Sequence, residues 1–130
     1  MTRFVIYTDD KENIREFEPL LRKAVLARSE WPLVQTYIGE ENFQAYLQFV
    51  QQNPFLIMVA ALTGSEGRRK ALRIREINWD ARMIWLSDEM NKSFAGTMGA
   101  TAFGLLPVSS EDIESALDAC NLFSEVHSMS

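Results

Sequence analysis

Cysteine and histidine are nearly missing from this chain. Among 130 residues there is one cysteine, Cys120, and one histidine, His127. A single thiol excludes an internal disulfide and a cysteine metal cluster. Cys120 falls on the apolar stripe of an expected helix and reads as a small core thiol. His127 sits close to the C-terminal end, far along the chain from Ser87, so the logic of a Ser–His triad does not apply. Long apolar runs are missing too. None approaches the ~18 residues of a membrane span. The N-terminus enters an apolar strand at once, without a signal-peptide pattern, and a reducing cytoplasm is the expected home. Basic residues are outnumbered, 13 against 18 acidic, for a net charge of -5. That balance argues against a general nucleic-acid binder, because phosphate contacts need clustered Lys and Arg. There is no internal repeat and no low-complexity linker. The one Gly-rich segment, Thr63-Gly64-Ser65-Glu66-Gly67, has neither the Walker lysine nor Gly-x-Gly-x-x-Gly spacing. It reads as a tight loop.

What remains is an ordinary globular mix, 47% apolar and 24% charged, long enough for one domain with a core and too short for two. Strand and helix patterns alternate. Phe4 to Tyr7 is the first strand, and Ile14, Phe17, Leu21, Ala24 and Val25 mark one helical face after it. Asp9 or Asp10 caps that helix. Trp31-Pro32 separates it from a second strand, Leu33 to Ile38. Gly39-Glu40-Glu41 opens a helix with Phe43, Tyr46, Leu47 and Val50 inward, and Asn53-Pro54 stops it. Phe55 to about Ala61 is apolar at every position, the pattern of a strand covered on both faces. The next helix carries Ala71, Ile74 and Ile77 inward, with Arg68, Arg69, Lys70, Arg73 and Arg75 mostly outward. That basic run reads as a solvated face or as a docking face for an acidic partner. Met83 to Leu86 is a fourth strand and Phe103 to Leu106 a fifth. Between them lies a weak helix around Lys92 to Met98, interrupted by Gly96 and ended by Gly99. Ser109, with Asp112 three residues on, resembles a capping box before a last helix facing inward through Ile113, Ala116, Leu117 and Cys120. Repeated strand–helix units imply a doubly wound parallel sheet, with its binding site beyond the carboxyl ends of the strands. Asp9, Asp10, Ala60, Ser87 and Leu106 all fall at those ends.

These segments resemble the receiver domain of bacterial two-component response regulators, from residue 3 to about residue 121. Thr8-Asp9-Asp10 sits where receivers carry an acidic pair. Phe55 to Ala60 sits where they have an apolar strand ending in the phosphorylated aspartate. Trp85-Leu86-Ser87 matches the strand ending in Thr or Ser, and Gly99-Ala100 followed by Phe103-Gly104-Leu105-Leu106-Pro107 matches the Gly-Ala, aromatic and Lys-Pro signature. The helix ending Ile74-Arg75-Glu76-Ile77-Asn78 is similar to the LytTR-associated subgroup. The resemblance implies a flavodoxin-like α/β fold, a five-stranded parallel sheet of order 2-1-3-4-5 with five helices. It implies a receiver-like domain over 1–123, with 124–130 a tail or cut linker. A parent of LytTR type would continue into a DNA-binding domain, which nothing in these residues supplies.

In that family the acidic pair and the acceptor carboxylate hold Mg²⁺, and the hydroxyl and lysine bind the phosphoryl oxygens. An aromatic ring on strand five then turns inward. Here the acceptor position is Ala60 and the lysine position is Leu106, while Phe103 takes the place of the switch aromatic. Alanine offers no nucleophilic oxygen and leucine no charge, so the resemblance implies a pseudo-receiver. A receiver with only its acceptor altered would explain Ala60 but not Leu106. Asp9 and Asp10 would hold Mg²⁺ weakly without a third carboxylate. Otherwise they cap the first helix and stay solvated, each carboxylate opposing ionisation of the other. Ser87 is a relic of the family site or a turn cap. No cofactor is expected, and control passes to dimerisation or a protein partner through the last two helices and strand five, with no membrane and no direct nucleic-acid contact. Two alternatives remain: a small-molecule or metal-binding flavodoxin-like domain, or a receiver phosphorylated at another carboxylate such as Asp88. Flavin is disfavoured, since Thr8-Asp9-Asp10-Lys11-Glu12 would set carboxylates against its phosphate. The Leu106–Pro107 bond is a candidate for the cis form, which costs an X-Pro bond only ~0.5–1 kcal/mol.

Overall fold

A computed structural model describes residues 3–28, 33–53 and 56–120. Trp31, Pro32, Pro54, Phe55, His127 and the expected tail 124–130 lie outside these residues. Among them the chain runs β1 (Arg3–Thr8), α1 (Lys11–Leu26), β2 (Leu33–Ile38), α2 (Phe43–Gln52), β3 (Ile57–Ala61), α3 (Gly64–Ile77), β4 (Arg82–Ser87), α4 (Lys92–Thr97), β5 (Ala102–Leu105) and α5 (Ser110–Ala119). Short 3₁₀ turns, Glu40–Asn42 and Glu89–Asn91, lead into α2 and α4. All strand pairs are parallel, and the sheet order is β2-β1-β3-β4-β5. This is the doubly wound parallel sheet expected from the alternating pattern, in the flavodoxin-like order that the resemblance implied.

The apolar stripes explain the layers. On one face of the sheet, Phe17, Leu21 and Val25 of α1 meet Ile113 and Leu117 of α5 over Phe4, Ile6, Val59 and Ile84. On the other, Tyr46 and Val50 of α2, Ala71 and Ile74 of α3 and Ala95 of α4 cover Val5, Tyr7, Met58 and Trp85. Every position of β3 is buried, as its unbroken apolar run requires. Two helix starts have a local side-chain cause. The Asp10 carboxylate caps α1 by accepting the Glu12 N–H. Ser109 and Asp112 close the capping box of α5. The Leu106–Pro107 bond is cis.

Two expectations about α3 fail. The Thr63–Gly67 segment is not a loop, because the helix begins at Gly64. A Cβ on Gly67 would lie 2.7 Å from the Leu62 carbonyl carbon, so only glycine lets the first turn rest on the end of β3. Lys70 and Arg75 do not face outward. Both are buried. The spacing 67, 70–71 and 74–75 puts them on the inner stripe, and each reaches polar partners that compensate its burial.

Candidate functional site

The carboxyl ends of the strands bring Asp9, Asp10, Ser87 and Leu106 into unexpected company, and Ala60 lies within β3 rather than at its end. The acidic pair is split. Asp10 is exposed and committed to the cap of α1, its Oδ1 accepting from the Glu12 N–H at 2.9 Å. Thr8 Oγ1 accepts from the Asp10 N–H at 3.2 Å and steadies that turn. Asp9 turns towards α2 and α3. Its Oδ1 accepts from the Tyr7 hydroxyl at 2.6 Å and from the Lys70 ammonium. Lys70 also donates to Glu40, in the turn before α2. The ammonium stands 5.3 Å from the Phe43 ring centroid and 5.6 Å from that of Tyr7. The Lys70 side chain is only 6% exposed, against 36% for Asp9 and 71% for Glu40.

Burial alone would weaken the proton on Lys70. The hydrogen bonds and charges of Asp9 and Glu40 outweigh it and raise the ammonium above its ordinary value. Tyr7 is raised as well, first by burial and then by its hydrogen bond to the Asp9 carboxylate. Of the two carboxylates, only Asp10 is the exposed helix cap. A lysine from α3 neutralises Asp9.

Ala60 lies in the core, fully buried. Strand register sets it beside Tyr7 on β1 and Trp85 on β4, and Trp85 in turn beside Phe103 on β5. Tyr37 of β2 completes a row across the sheet, aromatic at every strand but the middle one. Asp9 follows Thr8, whose partner is Ala61, so Leu62 stands level with Asp9 and Ala60 one pleat deeper. The chemistry does not depend on which residue is matched to an acceptor. From Leu56 to Ser65 the chain carries no carboxylate, and from Gly99 to Val108 no lysine. Leu106 comes just after β5, packs against the α1/α5 core, and donates its N–H to the Ser87 carbonyl at 2.9 Å.

Ser87 and Asp88 are engaged in structure. Asn91 Nδ2 donates to the buried Ser87 Oγ at 2.9 Å and to the Gly64 carbonyl at 3.1 Å. Asp88 Oδ2 accepts from the Gly64 N–H at 3.2 Å. Arg68 Nε donates to Asn91 Oδ1 at 2.7 Å. Together these bonds clamp the loop after β4 to the first turn of α3. Phe103 is half-buried, its ring edge-on to Trp85 at 6.1 Å between centroids. Lys70, Glu40, Tyr7, Asn91 and Arg68 are the residues sequence reasoning passed over. For Lys70 the signal was its place in the 67–70–74 spacing, since an inward lysine demands a carboxylate.

No family model matches the sequence, and no curated protein matches it either. Solved structures do. A receiver domain protein of Clostridium thermocellum superposes with a TM-score of 0.66 at 14% identity, covering 100% of both chains. A chain from Burkholderia thailandensis, named for pilus assembly (CpaE), gives 0.69 at 12%, covering 93% of this chain and 99% of that one. A Burkholderia pseudomallei response regulator, solved with a phosphorylated aspartic acid, a calcium ion and citrate, gives 0.60 at 18%, covering 99% of this chain and 72% of that one. The fold is that of receiver domains. At these identities the likeness establishes architecture and leaves function to the residues.

Proposed function

We propose that this chain is a receiver-like signal-transduction domain, non-enzymatic, whose state is not set by phosphorylation at the strand-three position. The observation that carries the reading is the pairing of Asp9 with Lys70 beside a strand end made only of hydrocarbon. In this reading Asp9, Asp10, Ala60, Ser87 and Leu106 are the remains of a phospho-site, with Phe103 at the place of its switch aromatic and Pro107 retained after Leu106. An ammonium on Asp9 opposes a divalent cation there, so Mg²⁺ binding is weak at best. The Burkholderia pseudomallei neighbour with its phosphorylated aspartic acid marks the contrast.

Signalling then falls to surfaces. Strand β5 is a sheet edge with Leu105 exposed, flanked by the short α4 and by α5, whose outer positions include Glu111, Glu114 and Asp118. We assign partner docking or self-association to this face. The LytTR-associated subtype rests on the resemblance of the α3 sequence. The alternative acceptor, Asp88, is disfavoured because its carboxylate already holds the Gly64 N–H. The reading is tested by incubating the protein with acetyl phosphate and Mg²⁺ and measuring intact mass. We expect no phosphoryl adduct. An adduct that disappears in Asp88→Asn overturns the reading.

A further inference from the structure

Between α2 and α3 runs a groove of about 300 Å³ that shares Glu40, Phe43 and Lys70 with the site described above. That volume is at the small end of the range for small-molecule sites. Its floor is apolar, Phe43 and Leu47 of α2. Its α3 wall is cationic, with Arg69 and Arg73 one turn apart and the buried Lys70 beside them. One carboxylate lines it, Glu40.

Three features make this wall available to an anion. Arg69 and Arg73 hold only Glu66 and Glu76, in i,i+3 pairs with both partners more than half exposed, and solvent pairs of that kind are weak. Guanidinium forks match carboxylate and phosphate oxygens. Lys70, a nearly buried ammonium with three donors, gives two of them to the protein, and its partner Glu40 is a largely exposed side chain free to leave.

From this we infer that the α2–α3 groove binds a small organic anion, a carboxylate or phosphate carried on a flat apolar body. The body lies on Phe43 and Leu47, and the anionic group meets Arg69 and Arg73 and competes with Glu40 for Lys70. The inference deepens the reading above, since it supplies a ligand where phosphorylation is lost. Lys70 is the link: an anion that displaces Glu40 alters the charge that Asp9 feels at the ends of the strands.

The test is a ¹⁵N–¹H correlation titration of the whole chain with phenyl phosphate and with benzoate, using benzyl alcohol as the neutral control. We expect saturable shifts at Phe43, Gln44, Leu47 and Lys70 with at least one anion and none with the alcohol. In the double variant Arg69→Ala/Arg73→Ala, whose truncated side chains are exposed, affinity should fall about tenfold or more. In Glu40→Gln it should rise several-fold, because the competitor has lost its charge. Equal binding of the alcohol, unchanged affinity in the double variant, or no saturable shift with either anion would overturn the inference. Each of those results leaves the acetyl phosphate experiment unaffected, so the two readings fail separately.

Discussion

Nearly buried, Lys70 has to be matched by negative charge, and it finds Asp9 and Glu40. Lys70→Met keeps much of the side-chain volume and removes the charge, leaving Asp9 with only the Tyr7 hydroxyl. Asp9 and Glu40 are partly solvated, so the full penalty of an orphaned buried charge does not apply. We expect a loss of about 1–3 kcal/mol in urea denaturation. This network and the buried thiol of Cys120 on the other face of the sheet together set the alkaline limb of stability. Lys70, Tyr7 and Cys120 all have folded pKa values above their unfolded ones, Cys120 pushed from 9.0 to about 11 chiefly by burial. A raised folded pKa means the native state holds more protons than the unfolded chain. The stabilisation is therefore complete below the unfolded values and lost as pH rises through the folded ones. Stability should begin to fall near pH 9, and Cys120→Ala should delay that onset towards pH 10, where the tyrosines begin to contribute. Ala60 makes the opposite point. Introducing a carboxylate with Ala60→Asp puts an ionisable group between Tyr7 and Trp85, deep in the apolar core. We expect a cost of about 2–4 kcal/mol and no gain of phosphorylation by acetyl phosphate. A stable, phosphorylated Ala60→Asp protein would show that the aromatic row is not what fixes this position.

Among the elements, α1 and α5 were legible almost residue by residue. Their apolar stripes recur at helical spacing, and Asp10 and Ser109 announce their starts. Strand β2 has the bounds its sequence implies. Helix α3 was not legible at its start, because Thr-Gly-Ser chemistry resembles a turn and nothing local reports that Gly67 must press against the Leu62 carbonyl. Nor were its inward cations, because long basic side chains default to solvent and their acceptors come from distant segments. Arg75 shows how distant. Its guanidinium donates to the carbonyls of Ala81 at 2.7 Å, Met98 at 3.0 Å and Gly99 at 2.6 Å, joining the end of α3 to the turns around β4 and β5. Arg75→Met should strand several of these carbonyls and cost about 3 kcal/mol or more by chemical denaturation. Arg75→Lys should restore little of it, since one ammonium cannot replace a planar fork.

At the scale of the whole molecule, the fold could be anticipated and the state of the site only in part. The parallel, doubly wound sheet follows from the alternation of patterns and the handedness of crossovers, and its strand order is the one the receiver resemblance implied. That Ala60 and Leu106 carry neither a carboxylate nor an ammonium could be read directly, whereas the Lys70 cation on α3 and the clamp of Asn91 and Arg68 across the β4 loop emerge only in three dimensions. A receiver needs a strand-end cavity that accepts a metal and a phosphoryl group and a loop free to respond. In this chain an ammonium stands on Asp9 and the loop after β4 is tied to α3. The most direct measurement is a titration of the wild-type protein with beryllofluoride and Mg²⁺ followed by ¹⁵N–¹H correlation spectra. We expect no saturable change at Asp9, Ser87 or Phe103, and the same spectrum with Mg²⁺ alone. A saturating shift at those three residues would contradict it, because it would mean that the pocket still takes up a metal-bound phosphoryl mimic.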